Sequence, residues 1–135
     1  KLGKGKVFQF RRSWDLKPEP LDKKNPLHPS NIEAYKNVPI ENIPNTESLK
    51  DTYVRVTKYY VSEIKNNLSK ENVLISAHGN SIRALCKYLF KLGNDQISNL
   101  EIPTGNPLII ELDKELSIKD CEYLDKERAK SLLVF

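Results

Sequence analysis

One histidine stands where chemistry is easiest to perform. Val73-Leu74-Ile75-Ser76-Ala77 is a short, apolar, β-rich run, and His78-Gly79-Asn80-Ser81 follows it just before a helical pattern. A strand that leads into a helix N-terminus is where open α/β sheets bind ligands. The helix start offers unpaired N–H groups and a partial positive charge, which suit phosphate. Gly79 permits close backbone approach or a positive φ. Asn80 or Ser81 can cap the helix. Arg83 falls in the first turn, where the dipole disfavours a cation unless an anion is near. The competing reading is an ordinary strand-to-helix turn with His78 as a structural histidine.

Arg11-Arg12 is the second feature. Adjacent guanidiniums, bracketed by Phe10 and Trp14, can fork onto a phosphate or carboxylate. The competing reading is a pair of surface arginines. Interleaved Phe8, Phe10 and Trp14 permit base stacking, but the cluster is short and no nucleic-acid module is legible. Metal chemistry finds little support: His28 and His78 are the two histidines, fifty residues apart, with no CxxC or HExxH. Cys86 reads as core and Cys121 as a strand residue with no histidine nearby in sequence. Glu41, Glu47 and Glu101 form no evident acid pair.

These residues need elements to position them. Asn45 and Thr46 are suited to cap a helix, and Leu49, Tyr53, Val56, Tyr60, Ile64 and Leu68 recur at spacings of three and four. That pattern predicts an amphipathic helix of about five or six turns. Ile82, Leu85, Cys86 and Leu89 predict a second helix, ended by Gly93 and Asn94, with one further turn over 94–100. Residues 73–77 and 108–112 read as buried strands and 117–124 as the partner of an antiparallel hairpin. Charged residues 125–130 predict the start of a C-terminal helix that ends in Leu132-Leu133-Val134-Phe135. Six of the eight prolines fall between Pro18 and Pro44, so 15–46 reads as a long irregular excursion. Leu27, Ile32, Tyr35, Val38 and Ile43 predict that it packs on a core. No internal repeat is visible.

The pattern is strand–helix–strand plus a hairpin, an α/β class with a mostly parallel sheet. Three convincing strands leave one flank uncovered. The chain has 135 residues and no methionine, and it opens on Lys1. It is therefore expected to be a piece of something longer, with part of the sheet encoded upstream. No apolar stretch approaches the roughly 20 residues of a membrane span, and no signal peptide opens the chain. Two cysteines exclude a disulfide scaffold and favour a cytosolic setting. Residues 1–17 hold six basic residues and one acidic, so the excess positive charge of a +4 chain sits at one end. Such a cluster attracts phosphate esters, carboxylates or nucleic acid.

Several of these segments resemble one family. Ala77-His78-Gly79-Asn80-Ser81-Ile82-Arg83 is similar to the "AHGNSLR" segment of the cofactor-dependent phosphoglycerate mutases, in the histidine phosphatase superfamily. Ile102-Pro103-Thr104-Gly105-Asn106-Pro107-Leu108 resembles their "IPTGVPL", Arg11-Arg12-Ser13-Trp14-Asp15 their "RRS-aromatic-D", Glu47-Ser48-Leu49 their "ESL" and Glu111-Leu112-Asp113-Lys114-Glu115-Leu116 their "ELDENL". Order and spacing agree from about residue 1 to 124. The resemblance is to the second half of the family. The "RHG" motif with the phosphorylated histidine and the "ERHYG" motif with the acid/base glutamate have no counterpart here. Lys4-Gly5-Lys6 stands where acidic residues are usual, Asn106 replaces Val or Ile, and the tail lacks the alanine- and lysine-rich ending.

The resemblance implies a three-layer α/β/α fold, a mostly parallel sheet with an antiparallel edge hairpin, incomplete on its N-terminal side. Residues 1–135 would be the C-terminal portion of one domain, with 125–135 as its tail. It makes residues 7–11 the end of a helix, where their own pattern reads as strand. The implied reaction interconverts 3- and 2-phosphoglycerate through a phosphohistidine, primed by 2,3-bisphosphoglycerate, without metal. In it His78 stabilises the phosphoryl group in flight, and Arg11, Arg12, Gly79 and Asn80 bind the phosphoglycerate ligand. The partners implied are small phosphoglycerates, not nucleic acid or membrane, with a cytoplasmic full-length protein for which a dimer is open. The chain alone is expected to be inactive. Two other readings stay open: a bisphosphoglycerate mutase or phosphatase relative, and a non-catalytic anion-binding domain.

Overall fold

The computed structural model describes residues 3–130. In chain order it contains helix α1 (Lys4–Arg12), three short 3-10 turns, α2 (Leu49–Tyr59), α3 (Gly79–Leu89), α4 (Asn94–Asn99), strands β1 (Leu108–Leu112) and β2 (Ile118–Tyr123), and α5 (Lys126–Ala129). The chain divides into two units between Leu49 and Lys50.

The first unit begins with α1, so residues 7–11 are helical, as the family resemblance implies and their own alternation does not. No side chain of α1 is buried. The excursion after it is a string of 3-10 turns, Pro29–Asn31, Glu33–Tyr35 and Ile40–Asn42. It does not rest on the apolar residues expected to pack it: Leu27, Ile32, Tyr35 and Val38 are exposed. Polar side chains hold it instead. His28 is 1% exposed. Its Nδ1 accepts from the Ser30 N–H at 3.2 Å, and its Nε2 lies 3.4 Å from Asn45 Oδ1. A single tautomer, protonated on Nε2, satisfies both contacts. Asn31 Nδ2 donates to the carbonyls of Lys23 and Asn25, and Thr46 Oγ1 to that of Pro18 at 2.6 Å. Asn45 and Thr46, the expected helix caps, are thus engaged within the loop, and α2 starts later, at Leu49.

In the second unit α2 passes into a single π-helical stretch, Tyr60–Ile64. The core gathers Tyr60, Ala84, Leu85, Cys86, Leu92, Ile97, Leu100 and Tyr123. The Tyr88 ring stands edge-on to Tyr60 with centroids 5.6 Å apart, an arrangement aromatic quadrupoles favour. Ile97 and Leu100 are fully buried, each worth about 1.5–3 kcal/mol of apolar transfer. α3 does not end on Gly93. Lys91 carries the left-handed φ of 54° after the helix, and Gly93, in extended conformation, begins the predicted further turn, α4.

The hairpin forms as predicted. β1 and β2 pair antiparallel from Leu108↔Tyr123 to Leu112↔Ile118, with a register shift at Glu111/Leu112. β1 is not buried on both faces, because its residues alternate between half-buried and exposed. Ahead of it, Pro103-Thr104-Gly105-Asn106 makes a turn with Gly105 at φ 69°, a conformation that costs an L side chain of the order of 1–2 kcal/mol. Asn106 is 5% exposed. Its Nδ2 donates to the Asp125 carbonyl and its Oδ1 accepts from the Asp125 N–H, both at 2.9 Å.

The expected buried strand at residues 73–77 is not formed. The segment belongs to no helix or strand and pairs with nothing among the described residues, and Leu74 is 91% exposed. A parallel strand needs neighbours on its edges to satisfy its N–H and C=O groups. The only sheet among the described residues is the two-stranded antiparallel pair, so no parallel layer is present there.

Candidate functional site

The turn from residue 77 to 81 leads straight into α3. His78, extended at φ −62° and ψ 144°, is its N-cap, and its side chain accepts from the Asn80 N–H at 3.3 Å through Nδ1. Neither Asn80 nor Ser81 caps the helix by side chain, as the sequence suggested. The imidazole does so. An accepting Nδ1 carries no proton, so in the neutral ring Nε2 carries it and is the donor left over. The His78 carbonyl takes the N–H groups of Ser81 and Ile82 at 2.8 and 3.2 Å. The Gly79 N–H has no partner among the described residues. A Cβ on Gly79 would meet nothing within 4 Å, so open space adjoins this backbone. The turn therefore displays a ring N–H and a backbone N–H at the positive end of an 11-residue helix, with no acidic residue in its first turn. That is a set of donors suited to an anion.

Arg11 and Arg12 lie in the last turn of α1. A helix C-terminus favours cations there, so their placement has a local cause independent of any ligand. Arg11 is exposed and Arg12 half-buried. The Arg12 guanidinium carbon lies 5.9 Å from the Phe8 ring centroid, one helical turn back, a cation–π contact that helps orient the fork. Both arginines belong to the first unit, whereas His78, Gly79 and Asn80 belong to the second.

One residue at the turn escaped assignment. Arg83 is buried, and its Nη1 donates to Asn80 Oδ1 at 3.2 Å. The signal for it in the sequence is a cation placed against the helix dipole. Cys86 is core, and burial pushes its thiol up to about 12, so it supplies no thiolate near neutrality. Cys121 is shifted up as well, by burial and by Asp120. His28 is occupied within the Pro-rich loop. Among the described residues no group of three metal-ligating side chains comes together, and no helix is long and apolar enough to cross a membrane. A cavity of about 610 Å³ between α2, α3 and the hairpin turn is lined by Tyr60, Lys87, Tyr88 and Ile118 among others, and His78 is not part of it.

Comparison with known proteins places this turn in a wider setting. Residues 15–119 match the model of the histidine phosphatase superfamily (branch 1). The chain is 65% identical over 136 aligned residues to a 2,3-bisphosphoglycerate-dependent phosphoglycerate mutase of Pelagibacter ubique (strain HTCC1062), covering 100% of this chain and 57% of that protein. It is 46% identical over 133 residues to a protein of the same name from Hyphomonas neptunium (strain ATCC 15444), covering 98% and 55%. A further protein of that name, from Borrelia garinii subsp. bavariensis, is 45% identical over 135 residues, covering 98% and 54%. The chain thus spans about half the length of the curated relatives it matches. With the family model running through the Pro-rich loop, the His78 turn and most of the hairpin, the chain belongs to the histidine phosphatase superfamily, an α/β family.

Proposed function

We propose that this chain is the C-terminal portion of a 2,3-bisphosphoglycerate-dependent phosphoglycerate mutase, acting in the cytoplasm on small phosphoglycerates. The observation that carries the reading is the donor-only turn at His78, Gly79 and Asn80, in a chain 65% identical throughout to a protein of that name. The reaction interconverts 3- and 2-phosphoglycerate through a phosphohistidine. On this reading the nucleophilic histidine and an acid/base glutamate lie in a part of the full-length protein outside this chain. In the full-length protein residues 73–77 form a strand of a mostly parallel three-layer sheet, which accounts for an exposed, apolar, unpaired segment.

Each unit by itself offers donors that suit a polyanionic primer. Arg11 and Arg12 supply guanidinium donors, Gly79 a backbone N–H without a partner, and His78 an Nε2–H. 2,3-Bisphosphoglycerate, when bound, supplies the phosphoryl group that primes the phosphohistidine. Arg11 and Arg12 hold the phosphate and carboxylate of the phosphoglycerate by charge-assisted bonds. His78 donates from Nε2 to the phosphoryl oxygens as charge spreads over them, and its Nδ1 contact to Asn80 keeps the proton on the outward nitrogen. Gly79 and Asn80 bind the same group. Phosphoryl transfer asks little more than positioning and charge stabilisation, which is what these residues provide. The test is turnover of 3-phosphoglycerate by the full-length protein, with and without catalytic 2,3-bisphosphoglycerate. Interconversion that depends on the primer is expected. Hydrolysis without isomerisation, or no turnover in either condition, overturns the assignment.

A further inference from the structure

Arg83 is the fifth residue of α3, a cation near the helix N-terminus, where the dipole opposes it. The structure offsets that opposition at a second helix. Arg83 is 8% exposed, and its Nη2 donates to the Ile97 carbonyl, near the C-terminal end of α4. A helix C-terminus favours a cation. The other terminal nitrogen, Nη1, donates to Asn80 Oδ1 at 3.2 Å. A guanidinium has donors only, so the oxygen of the Asn80 carboxamide must be the end that faces Arg83. The Nδ2H2 end is left over, on an exposed residue beside His78, and it has no partner among the described residues. An asparagine side chain is otherwise free to turn either end toward a ligand. Here a buried cation, itself fixed to a neighbouring helix, has made the choice.

We propose that Arg83 is a positioning residue. Anchored at α4, it grips Asn80 Oδ1 and presets Asn80 Nδ2H2 as a donor to the anion held at the His78 turn. This rests on the reading of that turn as a phosphoryl site. It adds a second task to Arg83 beyond joining α3 to α4, and that task is separable by experiment.

The experiment is a double-mutant cycle in the full-length protein, reading kcat and KM for phosphoglycerate together with Tm. Asn80→Ala removes the donor and is expected to lower kcat/KM roughly tenfold to a hundredfold, the usual range for a hydrogen bond to a charged group. Arg83→Met keeps the buried stem and removes the grip. It is expected to lower kcat/KM nearly as much, and to add nothing in the Asn80→Ala background. Arg83→Lys keeps a charge for the Ile97 carbonyl but cannot span both acceptors. It is expected to hold Tm near the parent value while showing the same coupling, which keeps the test decisive if the methionine variant does not fold. Losses that multiply in the double variants overturn the positioning role and leave the site reading intact. An Asn80→Ala enzyme with unchanged kcat/KM overturns both.

Discussion

His78 is observed in one role, and the proposed function gives it a second. It caps a helix through Nδ1 and thereby reserves Nε2–H for whatever lies outside. A cap is worth about 1 kcal/mol, whereas loss of one donor to a transition state costs roughly 10²- to 10³-fold in rate. The two roles predict a specific outcome for His78→Ala in the full-length protein. Unfolding should shift slightly, phosphoglycerate should still bind, and kcat and kcat/KM should fall together by about that factor. A variant within threefold of the parent kcat, measured under saturating primer, shows that His78 is only a turn residue. Cys86 makes the opposite case, a reactive type silenced by its surroundings. Burial raises its thiol from 9.0 to about 12 in the fold. An unfolded thiol ionises first, so this stabilisation is intact below pH 9 and is lost progressively as pH rises from about 9 to 12. Denaturant titrations across that window should show stability falling by up to about 1.4 kcal/mol per pH unit from this group. Cys86→Ala should be less stable at pH 7 yet flatter above pH 9, and an unaltered slope in that variant removes Cys86 as the cause.

Among the elements, the loop before β1 is held in an unusual manner. Asn106, where the resemblance leads to an expectation of valine or isoleucine, clamps the Asp125 backbone through both ends of its amide. Arg128 Nη2 adds a bond to the Thr104 carbonyl at 2.8 Å. The loop ahead of β1 and the junction after β2 are thereby fastened across the end of the hairpin. Asn106→Val installs the expected residue but strands the N–H and C=O of Asp125. These bonds are only part-buried, and a net hydrogen bond is worth about 0.5–1.5 kcal/mol, so chemical denaturation should show a loss of about 1–3 kcal/mol for the two, with the helical circular dichroism retained. Equal or greater stability in the valine variant dismisses the clamp. The elements also carry a clear case of misreading. Asn45 and Thr46 have the right chemistry for a helix cap, and the period that follows is helical. Yet Asn45 sits at His28 and Thr46 on the Pro18 carbonyl, so the helix waits until Leu49.

For the molecule as a whole, the exposed apolar run at residues 73–77 is the most telling feature. Val73 and Ile75 are exposed along with Leu74, and no ladder bonds serve their backbone among the described residues. The chain spans about half the length of its relatives, and on the proposed reading that run would lie beside strands supplied from elsewhere in the full-length protein. The purified 135-residue chain is therefore expected to show no mutase turnover, while the full-length protein turns over under the same primer concentration. A mass spectrum free of longer species must accompany the assay. Turnover by the short chain alone ends this account.

Local pattern determined a good deal unaided. The three-and-four spacing of Ile82, Leu85, Cys86 and Leu89 is enough for α3, and two β-rich runs around Asp113 are enough for a hairpin, because both depend on neighbours a few residues away. The ordered motifs pointed to the family, which the family model bears out. What chain-distant contacts decide could not be read the same way. The loop promised apolar packing and is held by His28, Asn31 and Thr46, since hydrogen-bond partners 6 to 28 residues away leave no periodic trace. Residues 108–112 and 73–77 are equally β-rich, yet only the former is a strand, because a ladder needs a partner and composition does not supply one. At the site, the sequence displays a histidine, an asparagine and a misplaced cation. Only the packing of α3 on α4 decides that the cation reaches Ile97 and turns the asparagine, because that geometry is set by the contact between two helices and by nothing within either of them.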